Sequence, residues 1–192
     1  MNMRKISIKE FKKRRFERSY ISVYIVIKPI SVENEQEIEV KNLCVIYGFT
    51  ALGVRRIIAI YFENTNDNRF WLGVFEDLKA RNLQNIMFLV TPQNKNIERC
   101  AKIIYNNIEI IRSPEDIMSA IDRYFATKTS RTLEIQLKNL ILAEDIEKCE
   151  ENIELFKQQY LHNRLVLEVF KRQEDDIKKL YKYNYDIRKL LY

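Results

Sequence analysis

The sequence predicts an α/β fold: a mixed sheet, then a long α-helical region. Three observations carry this. Between residues 20 and 62, β-branched and aromatic residues gather in three short runs bounded by Pro, Gly and polar residues. From about residue 67 the apolar spacing changes from twos to threes and fours. From Arg131 to the last residue there is neither Gly nor Pro.

Taken in order, YISVYIVIK (20–28) predicts the first strand, with Pro29 expected to end it. The polar SVENEQEIEV reads as a loop into the second strand, NLCVIYGF (42–49). TALG then forms a tight turn, with Gly53 at positive φ, before the third strand, VRRIIAIYF (54–62). These three make an antiparallel meander. Phe70, Trp71, Val74, Phe75 and Leu78 then fall at helical spacing, with Asn68 or Asp67 as cap and Asn82 at the end. A strand over 86–90, a helix over about 96–105 and a short strand IEII (108–111) follow. The order is βββαβαβ, that of a ribonuclease H-like sheet. The strand over 86–90 is expected beside the first.

Ser113-Pro114-Glu115-Asp116 has the form of a helix start: Ser as N-cap, Pro next, acids in the first turn. Leu133, Leu137, Leu140 and Ile141, then Ile146, Cys149, Ile153, Phe156 and Tyr160, recur at threes and fours with a slip near Ala143. The slip breaks a strict heptad, so packed amphipathic helices are favoured over an intermolecular coiled coil. Three regions result: a basic arm (1–19), an α/β core (20–112) and an α-helical region (113–192).

Composition bounds the function. Of 192 residues, 46% are hydrophobic and 31% charged, which suits a packed core. No apolar run reaches the roughly 20 residues needed to span a bilayer. The basic start lacks the apolar stretch of a signal peptide, so a cytoplasmic location is expected. Cys44, Cys100, Cys149 and the single His162 have no zinc-binding spacing and read as buried thiols and an isolated imidazole.

The net charge of +6 is concentrated. Residues 1–20 hold eight Lys/Arg, among them Lys12, Lys13, Arg14, Arg15 and Arg18, against Glu10 and Glu17. The arm therefore accounts for the whole surplus. A basic arm on a neutral body suits contact with phosphates, although a solvated terminus would look the same. The tail adds Lys178, Lys179, Lys182, Arg188 and Lys189 among Tyr181, Tyr183 and Tyr185. Aromatics between cations can stack on unpaired bases, whereas tyrosines on a terminal helix more often pack inward.

One block is specific. RFWLGVFEDLKARNLQNIMFLV resembles the segment before the second catalytic strand of Mutator-type transposases of bacterial insertion sequences. Phe70, Trp71, Val74, Phe75, Asp77, Leu78, Lys79 and Arg81 match its FW…DLK-x-RG pattern, with Asn82 in place of Gly. VIYGFTALGVRRIIAIYF resembles that family's hairpin, with Gly48 and Gly53 at its glycines. YNYDIRKLLY resembles the segment before its third catalytic motif. The likeness runs from about Tyr20 to Tyr192.

The resemblance implies a ribonuclease H-like core with an Asp-Asp-Glu triad holding two divalent metals, and a helical insertion before the Glu. Two metals about 4 Å apart activate the nucleophile and stabilise the leaving oxygen, and magnesium requires hard carboxylate oxygens. Carried over by position, the first Asp falls on Ile21, in Ile21-Ser22-Val23-Tyr24. The second falls on Pro92, followed by Gln93, and the Glu is expected beyond Tyr192. A Cys-x-x-His motif falls on Ser113 and Asp116. The stretch FLVTPQNK thus reads as a catalytic loop without its carboxylate. Ile21 and Pro92 are expected to be neighbours.

Among other acids, Glu76 and Asp77 read as a solvated helix face, while Glu63 and Asp67 lie near a strand end. No catalytic residue and no metal cofactor are expected. The resemblance, with the changed triad positions, implies a catalytically inactive, transposase-derived protein; from the charge distribution, any DNA binding is expected to be non-specific and to reside mainly in the arm. The alternative is a protein-interaction subunit that associates with a full-length transposase or another assembly, or with copies of itself. Removal of residues 1–18 is expected to weaken DNA binding and to change stability little.

Overall fold

In a computed structural model, residues 8–33, 38–63, 67–112 and 127–190 are described. The chain forms two units, residues 1–110 and 111–192. The proposed helix start at residues 113–116, with Ser113 and Asp116, lies outside the described residues.

The fold is mixed α/β: a five-stranded mixed sheet followed by helices. The first unit opens with a short helix, α1 (Ile8–Lys13). Its strands are β1 (Ser19–Glu33), β2 (Ile38–Phe49), β3 (Arg55–Glu63) and β4 (Asn85–Thr91). A fifth strand, β5 (Glu109–Arg112), completes the sheet order β3-β2-β1-β4-β5. β1 pairs antiparallel with β2 and parallel with β4, so the strand after the first helix lies beside the first, as expected.

Pro29 does not end β1. The strand runs on to Glu33, Pro29 pairs with Asn42, and Ser31–Glu33 pair with β2 where a loop was expected. The reason is local. The pairing of β1 with β4 runs no further than Tyr24–Val90, so among the described strands Pro29 has only β2 beside it. A proline whose missing N–H faces an unpaired edge interrupts no ladder bond.

Helices α2 (Asn68–Ala80) and α3 (Lys95–Ile104) supply the core on one side of the sheet. Trp71, Phe75 and Leu78 from α2 and Ile97 and Cys100 from α3 are buried with Val23, Ile25, Cys44 and Ile46. Asp67 caps α2, its carboxylate accepting from Phe70 N at 2.7 Å. That bond commits one of the two acids noted near the strand end to a helix start.

The C-terminus of α2 explains Asn82. This residue has φ 84°, in the left-handed region. Asn82 N donates to Lys79 O (3.1 Å) and Leu83 N to Leu78 O (3.0 Å), the bonding of a Schellman motif, in which Gly or Asn is preferred. Unlike Gly, Asn82 also donates from Nδ2 to Phe16 O at 3.0 Å. Asn82→Gly is therefore expected to lose about 1 kcal/mol, the worth of one hydrogen bond. Asn82→Ala should lose about 2 kcal/mol, because the Cβ strain of the left-handed conformation is unrelieved. Urea unfolding separates the two, and equal losses would refute this account.

The second unit holds α4 (Thr127–Ile141), α5 (Ile146–Gln159), α6 (Arg164–Lys179), a 3-10 turn (Leu180–Lys182) and α7 (Tyr185–Lys189). The slip in periodicity near Ala143 is a helix boundary. The chain leaves helix after Ile141 and restarts at Asp145, whose carboxylate accepts from Lys148 N at 2.7 Å. Leu133, Leu137, Leu140, Cys149, Ile153, Phe156, Val166 and Phe170 are buried. Phe156 and Phe170 lie 4.5 Å apart, centroid to centroid.

Candidate nucleic-acid interface

The two ends of the parallel β1–β4 pair have different chemistry. At the C-terminal end of β4, Thr91 is buried and Asn94 caps α3, accepting from Asn96 N at 3.0 Å. The stretch after β4 thus acts as a helix start. Ile21 is not beside it. It lies between the pairs Tyr20–Ile86 and Ser22–Phe88, level with Met87. At about 3.3 Å per residue, Pro92 is roughly 16 Å further along the strand direction. The expectation that Ile21 and Pro92 are neighbours is overturned. A four-residue stretch aligned on one tyrosine does not fix register; the ladder does.

Continuing the observed register by two residues brings Pro92 level with Val26. No Asp or Glu occurs in 19–27 or 85–94. Among the described residues, no three His, Cys, Asp or Glu side chains gather as a metal site.

Asp77 does not simply face solvent. It accepts from Tyr61 Oη at 2.6 Å and from Arg81 at 3.2 Å. Burial first, then the bond to Asp77, pushes the Tyr61 hydroxyl above its ordinary range, so Tyr61 remains a neutral donor. Glu76 is exposed.

The other end of the pair carries the basic arm, which is docked. Arg81 donates to Phe11 O (2.8 Å) and Arg14 O (3.1 Å), and its guanidinium lies 4.2 Å from the Phe16 ring centroid. Phe16 N donates to Arg81 O at 2.9 Å, and Phe16 is only 8% exposed. Gln84 N and Asn85 N both donate to Arg18 O. The arm is held through its backbone and one aromatic ring, while the side chains of Lys13, Arg14, Arg15 and Arg18 are exposed. The Lys12 side chain lies outside what is described. The expectation that removal of residues 1–18 changes stability little did not foresee Phe16, which is buried in the core cluster.

In the second unit the predicted cations are dispersed among structural roles. Arg188 is 3% exposed, donates to Ala143 O at 2.8 Å and stacks 4.0 Å from the Tyr181 ring centroid. It closes the helix break at Ala143 and is not available to phosphates. Lys178 pairs with Glu174 and Glu150, and Lys179 with Asp176. Lys182 and Lys189 are exposed, Lys182 lying 5.0 Å from the Tyr183 ring. Tyr181 donates to Leu140 O, while Tyr185 is exposed. The inward-packing expectation thus holds for Tyr181.

A model of the Mutator family of transposases matches residues 3–192. The chain belongs to the Mutator family of transposases. It is 21% identical, over 97% of its length, to a transposase for insertion sequence element ISRM3 of Rhizobium meliloti (strain 1021). It is 20% identical, again over 97%, to a probable transposase for an ISRM3-like element of Sinorhizobium fredii (strain NBRC 101917 / NGR234). The chain spans about half of these relatives, 47% of each.

The block that resembles other Mutator transposases is structural in this chain. Trp71, Phe75 and Leu78 fill the core, Asp77 links α2 to β3, and Arg81 and Asn82 fasten the arm. Lys79 Nζ donates to Ile104 O at 2.9 Å and so ties α2 to the end of α3. The anchoring role of Arg81 was not read from the sequence. The available signal was Phe16, an aromatic inside a run of cations. Among the described residues, no helix is long and apolar enough to cross a membrane.

Proposed function

We propose that this chain is a transposase-derived nucleic-acid-binding module of the Mutator type, and that it has no phosphodiester-cleaving activity of its own. The carrying observation is the docked arm. Its backbone is fixed by Arg81, Asn82, Gln84 and Asn85, while Lys13, Arg14, Arg15 and Arg18 project to solvent. Fixed cations lose less freedom on meeting phosphates than cations on a mobile tail, and phosphate contact needs no base-reading helix. The absence of Asp and Glu from both 19–27 and 85–94 supports the lack of cleavage, because two-metal chemistry needs converging carboxylates.

The test keeps the fold and removes the charge. The side chains of Lys13, Arg14, Arg15 and Arg18 are exposed, and Arg14 and Arg18 meet the core through their carbonyls, so joint replacement of the four by Gln should leave the melting midpoint nearly unchanged. Each lost phosphate contact changes the logarithmic salt slope on duplex DNA by about 0.9, so loss of four contacts should change it by more than 3. A fluorescence titration at several salt concentrations reads this directly. Equal slopes for the two proteins would overturn the assignment to the arm. Manganese-dependent nicking of plasmid DNA would overturn the inactive reading.

A further inference from the structure

At the foot of the sheet, beside the docked arm, lies a cavity of about 500 Å³. Its walls are of two kinds. Lys79, Gln84, Asn85, Asn106 and Asn107 supply polar groups, while Ile21, Met87 and Ile104 supply apolar surface. No acid lines it.

The hydrogen bonds leave specific capacity. Gln84 Nε2 donates to Lys79 O and Asn85 Nδ2 to Ser19 Oγ; each bond orients its amide and uses one of its two N–H donors. Their carbonyl oxygens are acceptors. Lys79 spends one of its three donors on Ile104 O. Asn106 and Asn107 are exposed in the turn between α3 and β5.

We propose that this cavity accommodates one unpaired nucleotide of a strand whose neighbouring phosphates are held by the arm. The chemistry matches at each part. A base presents donors and acceptors along its edge and an apolar face, and asparagine and glutamine amides pair with such edges. Lys79 supplies a cation, and no described lining residue is acidic, which favours the attached phosphate. A cavity of this size is within the range of small-ligand sites. A paired base has its edge engaged and both faces stacked, so only an unpaired one can enter. The arm reaches the rim directly, since Arg18 O accepts from the N–H groups of Gln84 and Asn85. The nucleotide would lie at the opposite end of β4 from the Thr91–Asn94 stretch.

The proposal rests on the arm's contact with nucleic acid, and the experiment distinguishes failure of one from failure of the other. Binding of fluorescein-labelled dT12 and of a 12-base-pair duplex is measured by anisotropy for the full chain and for N106A/N107A. The full chain should bind dT12 at least threefold more tightly than the duplex. In N106A/N107A that preference should vanish, with the duplex affinity and its salt slope kept. As a second readout, Met87→Cys places a thiol in the cavity wall, Met87 being 37% exposed while Cys44, Cys100 and Cys149 are buried. Saturating dT12 should slow its alkylation at least fivefold, and duplex should not. Equal affinity for the two DNAs, or unchanged alkylation under saturating dT12, would overturn the cavity site and leave the arm reading intact. No binding of either DNA by the full chain would overturn both.

Discussion

Replacing Phe16 by alanine is expected to lower the stability of the first unit by about 3 kcal/mol, the lower end of the range for a buried Phe. The ring is almost fully buried yet packs on one side against the Arg81 guanidinium rather than a hydrocarbon wall, which places the loss at that end. Truncation also weakens what surrounds it. Arg81 and Asn82 bond to Phe11, Arg14 and Phe16 carbonyls that a frayed arm would no longer present. Trp71, the chain's only tryptophan and fully buried, makes the measurement direct: urea unfolding followed by its fluorescence reports on this unit. An unchanged midpoint would mean that the arm is not docked in solution. The same reasoning bears on DNA binding. A chain without residues 1–18 loses charge and packing together, so its affinity says nothing about phosphates unless the charge-only variant is compared.

Gly48→Ala is expected to cost about 3 kcal/mol, at the upper end of the usual overpacking range. An added Cβ would meet Ser22 O at 2.8 Å, Tyr20 Cδ1 at 2.9 Å and Ile58 Cδ1 at 3.0 Å. The first of these is backbone of β1, the central strand, and it cannot rotate aside. The bulge between Ile46 and Tyr47 in the β2–β3 register adds to the constraint, because it turns Ile58 into the core beside Gly48. Gly73 is the internal control. It lies within α2, and a Cβ there meets nothing within 4 Å. Gly73→Ala should therefore stabilise the unit by about 0.5–1 kcal/mol, the helix-propensity difference. The two substitutions remove the same residue type and should shift the urea midpoint in opposite directions. A shift of the same sign would refute the steric account.

The elements legible in the sequence were those whose pattern repeats. Trp71, Val74, Phe75 and Leu78 fixed α2 and its buried face, and the phase slip near Ala143 located the break between α4 and α5. Strand order was legible because a meander followed by helix–strand alternation leaves few topologies. What could not be read depended on single long-range contacts. Pro29 punctuates a strand in sequence, but its tolerance depends on which neighbour β1 lacks at that level. Ile21 was misplaced relative to Pro92 because a strand of similar residues carries no internal mark of register. Arg188 looked like its exposed neighbours, and only the open carbonyl at Ala143 draws it inward. The polar cavity escaped the sequence entirely. Its amides come from Gln84–Asn85 and Asn106–Asn107, residues that carry no motif and meet only when α3 returns beside β4.

The way the arm is fastened also sets a hierarchy of opening. Few hydrogen bonds and one ring hold it, whereas β1 is bonded on both sides over its first half. Release of the arm is thus a sub-global fluctuation, much cheaper than separation of β1 from β4. Any ligand that prefers the fastened form raises the free energy of that release by its own mass action. Amide protons at Phe16, Gln84 and Asn85 would then exchange on a clock set by occupancy of the arm, while those of the central strands keep time with global unfolding. The arm's attachment is in this sense a local stability that ligand concentration tunes separately from the fold.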